Sequence, residues 1–243
     1  MSDAASTPVA AQVVGILGGT GDQGRGLAYR FARVGHRVLV GSRDADRARS
    51  AAAEIAALPG ATTGTVSGAA NAEVATASDV VIVAVPWSAH ADTLFALAGP
   101  LTGKIVVDCV NPLGFDAHGP YALAVPEGSA AQQAATLLPG SRVCAAFHHV
   151  SAVLLADPAV ESFELDVLVL GDDREAVGIV IELASRIPGM RGVHGGRLRN
   201  AGQVEALTAN ILAINRRYKA HAGLRITDIS PALGASRGAG VAQ

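Results

Sequence analysis

The stretch GILGGTGDQGRGLAYRFARVGHRVLVGSR, residues 15–43, leaves the chain few ways to fold. A β-branched apolar run over residues 13–17 stops in a cluster of glycines. Residues 22–34 follow with helical spacing: Leu27, Phe31 and Val34 share a face, and Gly35 fits the left-handed position that ends a helix. A second apolar run, residues 37–40, leads into Ser42 and Arg43. Strand, glycine turn, helix and strand make a βαβ unit, whose crossover in a parallel sheet is right-handed.

The same alternation continues. Asp44 is placed to cap an alanine-rich helix running to about residue 58, before Pro59 and Gly60. A weaker strand is expected near Thr65 and Val66. ASDVVIVAVP and LTGKIVVDCVNP are apolar on both faces, as buried parallel strands are. A helix over residues 129–138, a strand over 142–147, a strand in ELDVLVLGDD, a helix over 174–186 and a short strand near Gly192 and Val193 complete the pattern. Asp172 and Asp173 are read as a helix cap. A long helix is expected over residues 200–221, with Val204, Leu207, Ile211, Leu212 and Ile214 as its apolar stripe. Residues 230–243 read as a loose tail. The fold class is therefore α/β: a doubly wound parallel sheet of Rossmann type, with residues 1–150 as a dinucleotide-binding domain. Residues 151–243 are expected to form a smaller, mainly helical part that closes a second-substrate site and carries a dimer contact.

Composition narrows the function. Half of the residues are hydrophobic, 16% are charged and the formal net charge is −2. No overall basic field argues for nucleic acid or an anionic membrane. The apolar stretch from Val80 meets Pro86 and His90 too soon to span a bilayer. The first residues, MSDAASTPVAAQ, lack the basic start and apolar region of a signal peptide, and a cytoplasmic protein is expected. Cys109 and Cys144 lie in apolar runs without CxxC spacing and read as buried core residues.

Gly19, Gly21 and Gly24 stand at G-x-G-x-x-G spacing. The first makes the turn off the strand, the second leaves the backbone open to a pyrophosphate, and the third lets the helix lie close to the strand. The helix start then offers unpaired N–H groups and a positive dipole end to the phosphates. Selection of NAD usually places a carboxylate about 20 residues on, bonded to the ribose hydroxyls. This chain has Ser42 and Arg43 there, with Arg47 one helical turn further. These groups suit the 2′-phosphate of NADP(H), with Asp44 read as the helix cap rather than a ribose ligand.

With GILGGTGDQGRGLA and VGSRDADRAR in view, the chain resembles the NADPH-dependent reductases of the deazaflavin coenzyme F420 (F420H2:NADP oxidoreductases). The resemblance extends through SDVVIVAVPWSAH, GKIVVDCVNP, RVCAAFHHVSA, VLVLGDD and VEALTANILAIN. It implies hydride transfer between NADP(H) and F420. It also implies roles for individual residues. Thr20, Gly21, Asp22 and Gln23 would form the phosphate loop, and Ser42, Arg43 and Arg47 would hold the 2′-phosphate. Trp87 and Ala91 would lie along the nicotinamide half, with Asn111 and Ala152 flanking the ring. His148, Thr208 and Ala222 would meet the deazaflavin. The chain departs from the family at DCVNPLG, at His149, Val150 and Ser151, and at Ala209, all on the side of the second substrate.

Hydride transfer between two coenzymes asks a protein to stack rings and exclude water, not to supply a nucleophile. No Ser/His/Asp set and no metal-ligand spacing stands out. No residue is assigned as catalytic; His148 is read either as a hydrogen-bond donor to the accepting ring or as a half-buried histidine. Two other readings remain: an NADPH-dependent reductase of a small carbonyl, imine or flavin, and an NADP(H)-binding sensor without turnover. A homodimer is expected from the apolar stripe on the final helix.

Overall fold

The computed structural model describes residues 8–61 and 66–229. Thr65, the expected tail and the first seven residues lie outside them. The chain runs β1 (Val14–Leu17), α1 (Asp22–Arg33), β2 (Val38–Ser42), α2 (Ala45–Ala56), β3 (Val66–Ala70), α3 (Asn71–Ala77), β4 (Val80–Val83), α4 (Trp87–Ala96) and β5 (Ile105–Asp108). A hairpin of β6 (Leu113–Asp116) and β7 (Gly119–Ala122) follows, then α5 (Ala130–Leu137), β8 (Arg142–Ala145), α6 (Ala152–Ala156), β9 (Leu165–Gly171), α7 (Arg174–Ser185), β10 (Met190–Gly196) and α8 (Ala201–Tyr218).

Eight strands form one sheet in the order β10-β9-β8-β5-β4-β1-β2-β3. The six from β3 to β8 pair in parallel throughout, which is the dinucleotide-binding strand order. Strand β9 pairs antiparallel with β8, and β10 pairs parallel with β9. The last two strands therefore extend the same sheet in the reverse direction.

Side chains alternate between two apolar layers, as strand geometry requires. Val80 and Ile82 of β4 join Leu27 and Phe31 of α1 and Val180 and Leu183 of α7 on one face. Val81 and Val83 join Val74, Leu94 and Ala134 on the other. Full burial of each such aliphatic side chain contributes about 1.5–3 kcal/mol. The cysteines behave as expected: Cys109 and Cys144 are both buried and unbridged.

Four helices begin on a side-chain cap. Asp44 accepts from Asp46 and Arg47 N–H, Ser129 from Gln132, Ser151 from Leu154 and Asp173 from Ala176. Gly35 takes the left-handed conformation after α1, at φ 89°. Arg30, 2% exposed, points from α1 into carbonyls of the last turn of α6 and of the loop that follows it. It donates to Leu154, Leu155, Asp157 and Val160 at 2.6–2.8 Å and so ties that segment to the helix behind the glycine turn.

Candidate active site

The carboxyl ends of β1, β2 and β4 open onto a groove of about 1060 Å³ lined by Gly18, Thr20, Gly21, Asp22, Gln23, Ser42, Arg43 and Arg47, among others. Helix α1 starts at this groove, and its N-cap, Gly21, offers no side-chain hydrogen bond. Its first N–H groups thus face the groove without a capping oxygen, as a pyrophosphate site requires. The glycines divide their tasks. Gly18 turns the chain at φ 72°. A Cβ on Gly24 would lie 2.7 Å from Gly18 O, and one on Gly19 2.9 Å from Ile16 O. A Cβ on Gly21 would meet no protein atom closer than 3.5 Å. Packing therefore demands glycine at 19 and 24, whereas at 21 the space is left open toward the groove.

Beyond β2 the charge pattern is selective. Arg25 pairs with Glu54, and Arg49 pairs with Asp46. Arg43 and Arg47 line the groove and make no ion pair among the described residues. Ser42 Oγ is turned to the start of α2, where it accepts from Asp44 N–H at 3.2 Å. The Asp44 carboxylate is spent on capping α2. Two guanidinium groups without an ion-pair partner among the described residues, and a hydroxyl, thus line the groove beyond β2, which fits a phosphate dianion on the adenosine ribose.

A second pocket of about 240 Å³ continues the groove, since Gln23, Ala84, Val85 and Pro86 line both. Its other walls are Trp87, Cys109, Val110, Asn111 and His148. Pro86 ends the β4 loop and starts α4, which puts the Trp87 indole at the mouth. The chain leaves β8 through Phe147, held at φ 65° although its side chain is fully buried. A bulky residue in that region costs of order 1–2 kcal/mol. Edge-on packing of Phe147 against Phe31 at 6.0 Å secures it. This turn delivers His148 to the pocket. Its carbonyl accepts from Asn111 Nδ2 at 2.9 Å and from Thr208 Oγ1 at 3.3 Å, and Thr208 Oγ1 also reaches Asn111 Oδ1 at 3.2 Å.

The His148 ring is buried; no side chain among the described residues meets its nitrogens, and the polar groups nearest them are the backbone of Cys109 and Val110. Burial pushes its pKa down to about 4. The ring is neutral near pH 7, with one nitrogen able to donate and the other to accept. A neutral imidazole that lines the pocket and has no side-chain partner fits a contact with a polar ring edge.

The structure thus gathers Trp87, Asn111 and His148 at one pocket, with Thr208 just behind. Ala91, Ala152 and Ala222 line neither cavity. Ala152 starts α6 against Gly26, and the Ala222 N–H donates to Asn215 Oδ1 at 2.7 Å. His221, its neighbour, comes within 3.4 Å of Ser151 Oγ. Asn71, Asp92 and Thr93 also line the groove and were not expected. Asn71 Oδ1 is buried there without a hydrogen-bond partner among the described residues; its position at the start of a short helix gave no motif to read.

The family described as "NADP oxidoreductase coenzyme F420-dependent" matches residues 13–112, which hold the whole groove from the glycine turn to Asn111. The F420-dependent NADP reductase of Methanothermobacter thermautotrophicus is 38% identical over 221 residues, covering 89% of this chain and 95% of its own length. The chain belongs to the F420-dependent NADP reductase family. The family's enzyme from Methanocaldococcus jannaschii is 36% identical, with 89% and 98% of the two chains covered. A solved protein of Arthrobacter sp. FB24 superposes with a TM-score of 0.73 at 27% identity, covering 89% of this chain and 99% of its own. The family resemblance expected from the motifs therefore holds over nearly the whole chain.

Proposed function

We propose that the protein is an NADP-dependent oxidoreductase that transfers a hydride between NADP(H) and coenzyme F420. The observation that carries this reading is the continuity of the groove. An anion site at Arg43 and Arg47, an open helix start and a pocket lined by Trp87, Asn111 and His148 lie along one path. In this family, NADPH and F420 supply the chemistry themselves: a hydride passes from the dihydronicotinamide to the deazaflavin ring carbon, and one proton is taken up at the deazaflavin nitrogen.

The chain's own residues bind and orient. The α1 N-terminus and Gly21 take the pyrophosphate, with Thr20, Asp22 and Gln23 around it. Ser42, Arg43 and Arg47 take the 2′-phosphate. Trp87 and Asn111 bound the nicotinamide, and the neutral His148 ring donates to, or accepts from, the edge of the second ring. Thr208 fixes the backbone that carries His148, and His221, beside Ala222, reaches Ser151 at the start of α6. The nucleotide is thus served from within residues 1–150, and the second coenzyme by His148 together with Thr208 and the segment around Ala222.

Two further attributes belong to this reading. The protein acts as a homodimer in the cytoplasm. Leu212, Ile214 and Tyr218 on α8 are exposed, as are Phe115 and Tyr121 on the hairpin, whose strand β7 packs against α8. This apolar face supports a dimer contact. Two unbridged cysteines suit a reducing compartment, and no helix among the described residues is long and apolar enough to cross a membrane.

The test mixes purified protein with NADPH and oxidised F420 and follows the visible absorbance of the deazaflavin. Bleaching with matching loss of NADPH is expected. Consumption of NADPH only with a carbonyl, imine or flavin would favour the alternative reductase, and binding without turnover the sensor.

A further inference from the structure

A charged pair lies behind the small pocket and touches neither cavity. His90 on α4 and Asp108 at the end of β5 have fully buried side chains, with His90 Nε2 2.6 Å from Asp108 Oδ2. Gln133 sets the protonation of the ring. Its Nε2 donates to the Glu127 carboxylate at 3.3 Å, so its Oε1, an acceptor only, is the atom 2.9 Å from His90 Nδ1. Nδ1 therefore donates. The other oxygen of Asp108 accepts from Val110 N–H at 3.0 Å. Nε2 faces a carboxylate oxygen in turn, so both ring nitrogens meet acceptors, the arrangement that a doubly protonated imidazole satisfies. Burial works against that charge, but the hydrogen bond and charge of Asp108, helped by Gln133 and Glu205, outweigh it and raise the pKa. Glu205, on α8, accepts from Ala130 and Ala131 N–H at the start of α5.

Buried ion pairs rarely improve on apolar packing, and their better-attested use is to fix one arrangement. Here the arrangement is that of the pocket walls. The His90 ring stacks on the Trp87 indole at 5.4 Å, tilted by 35°. The Asp108 carboxylate turns the backbone at Val110, which aims Asn111 at the His148 carbonyl and Thr208. One hydrogen-bonded path thus links α5, α4, β5, the end of β8 and α8 beneath the pocket.

We propose that His90 and Asp108 are positioning residues for hydride transfer, held as a buried imidazolium–carboxylate pair that fixes Trp87 on one wall and the Val110–Asn111 turn on the other. This rests on the assignment of the small pocket to the reacting rings. Misplacement of reacting groups by about 1 Å costs up to about a hundredfold in rate.

The experiment has two arms. In the first, nitrogen NMR of the imidazoles in the full-length protein, without coenzyme, is expected to show His90 doubly protonated at neutral pH. A neutral tautomer would overturn the proposal. In the second, Asp108→Asn and His90→Gln are compared with wild type in NADPH affinity, by titration, and in kcat with whichever acceptor the wild type reduces. A kcat loss of about ten- to hundredfold is expected at an NADPH Kd unchanged within about twofold. His90→Gln, which can still donate to Asp108, is expected to lose less than His90→Leu. Unchanged kcat, parallel losses of kcat and NADPH affinity, or variants that fail to fold would each mark a role in the fold alone and overturn the positioning role. Absence of F420 reduction by a wild type that reduces another acceptor would refute the substrate assignment while leaving both arms readable, and a wild type that reduces no acceptor would overturn the positioning role with it.

Discussion

Arg43 and Arg47 differ from Arg25 and Arg49 in that no carboxylate among the described residues pairs with them. A charge-assisted bond to a phosphate is worth about 1.5–3 kcal/mol. Arg43→Ala should therefore weaken NADPH about 10- to 100-fold in a fluorescence titration and leave NADH nearly unchanged. Equal losses for both nucleotides would remove the 2′-phosphate role. This site was legible because Ser42, Arg43 and Arg47 are neighbours in sequence. The His90–Asp108 pair was not, since only the adjacency of β4 and β5 brings the two residues together. His148 yields a pH prediction. Its folded pKa of about 4 lies below the ordinary 6.5, so the unfolded chain takes up the proton first. Its stabilising share is complete above about pH 6.5 and falls by up to about 3 kcal/mol toward pH 4. Glu205 works in the opposite sense: burial raises its pKa from 4.5 to about 7, so its share is lost as pH rises through that window. Urea unfolding of wild type and His148→Asn at about pH 7 and about pH 4.5 separates the two groups. The variant should lose less stability on acidification.

At the scale of elements, the turn between β1 and α1 makes two demands that one substitution each can separate. Gly24→Ala places a methyl 2.7 Å from the backbone of Gly18 and Gly19 and must push α1 away from the strand. A loss of about 1–3 kcal/mol in urea unfolding is expected. Gly21→Ala meets only Gly18 O, at 3.5 Å, so its stability should change little while its affinity for NADPH falls. The reverse pattern would contradict the placement of the pyrophosphate. The βαβ elements were readable because buried parallel strands are continuous apolar runs punctuated by glycine, aspartate and proline. The β6–β7 hairpin was not. Gly114 and Pro120 sit inside its strands and interrupt the signal, and its turn depends on Asp116 Oδ1 accepting from His118 and Gly119 N–H. The direction of β9 and β10 was equally hidden, because an apolar run reads the same either way.

Over the whole molecule, the groove runs from the end of β2 to the small pocket, where α8 backs its far wall through Thr208. The exposed face of α8 and the hairpin predicts a dimer by light scattering, and Leu212→Glu with Ile214→Glu should yield monomers. A wild-type monomer at micromolar concentration would contradict that contact. Direct passage of hydride between two coenzymes meeting at Trp87, Asn111 and His148 is the central claim. It is tested by supplying NADPH deuterated at the transferable ring position and analysing the reduced F420 by mass spectrometry and NMR. One deuterium at the deazaflavin reactive carbon is expected, with none lost to water. Reduced F420 carrying solvent hydrogen at that carbon, or no reduction at all, would contradict it.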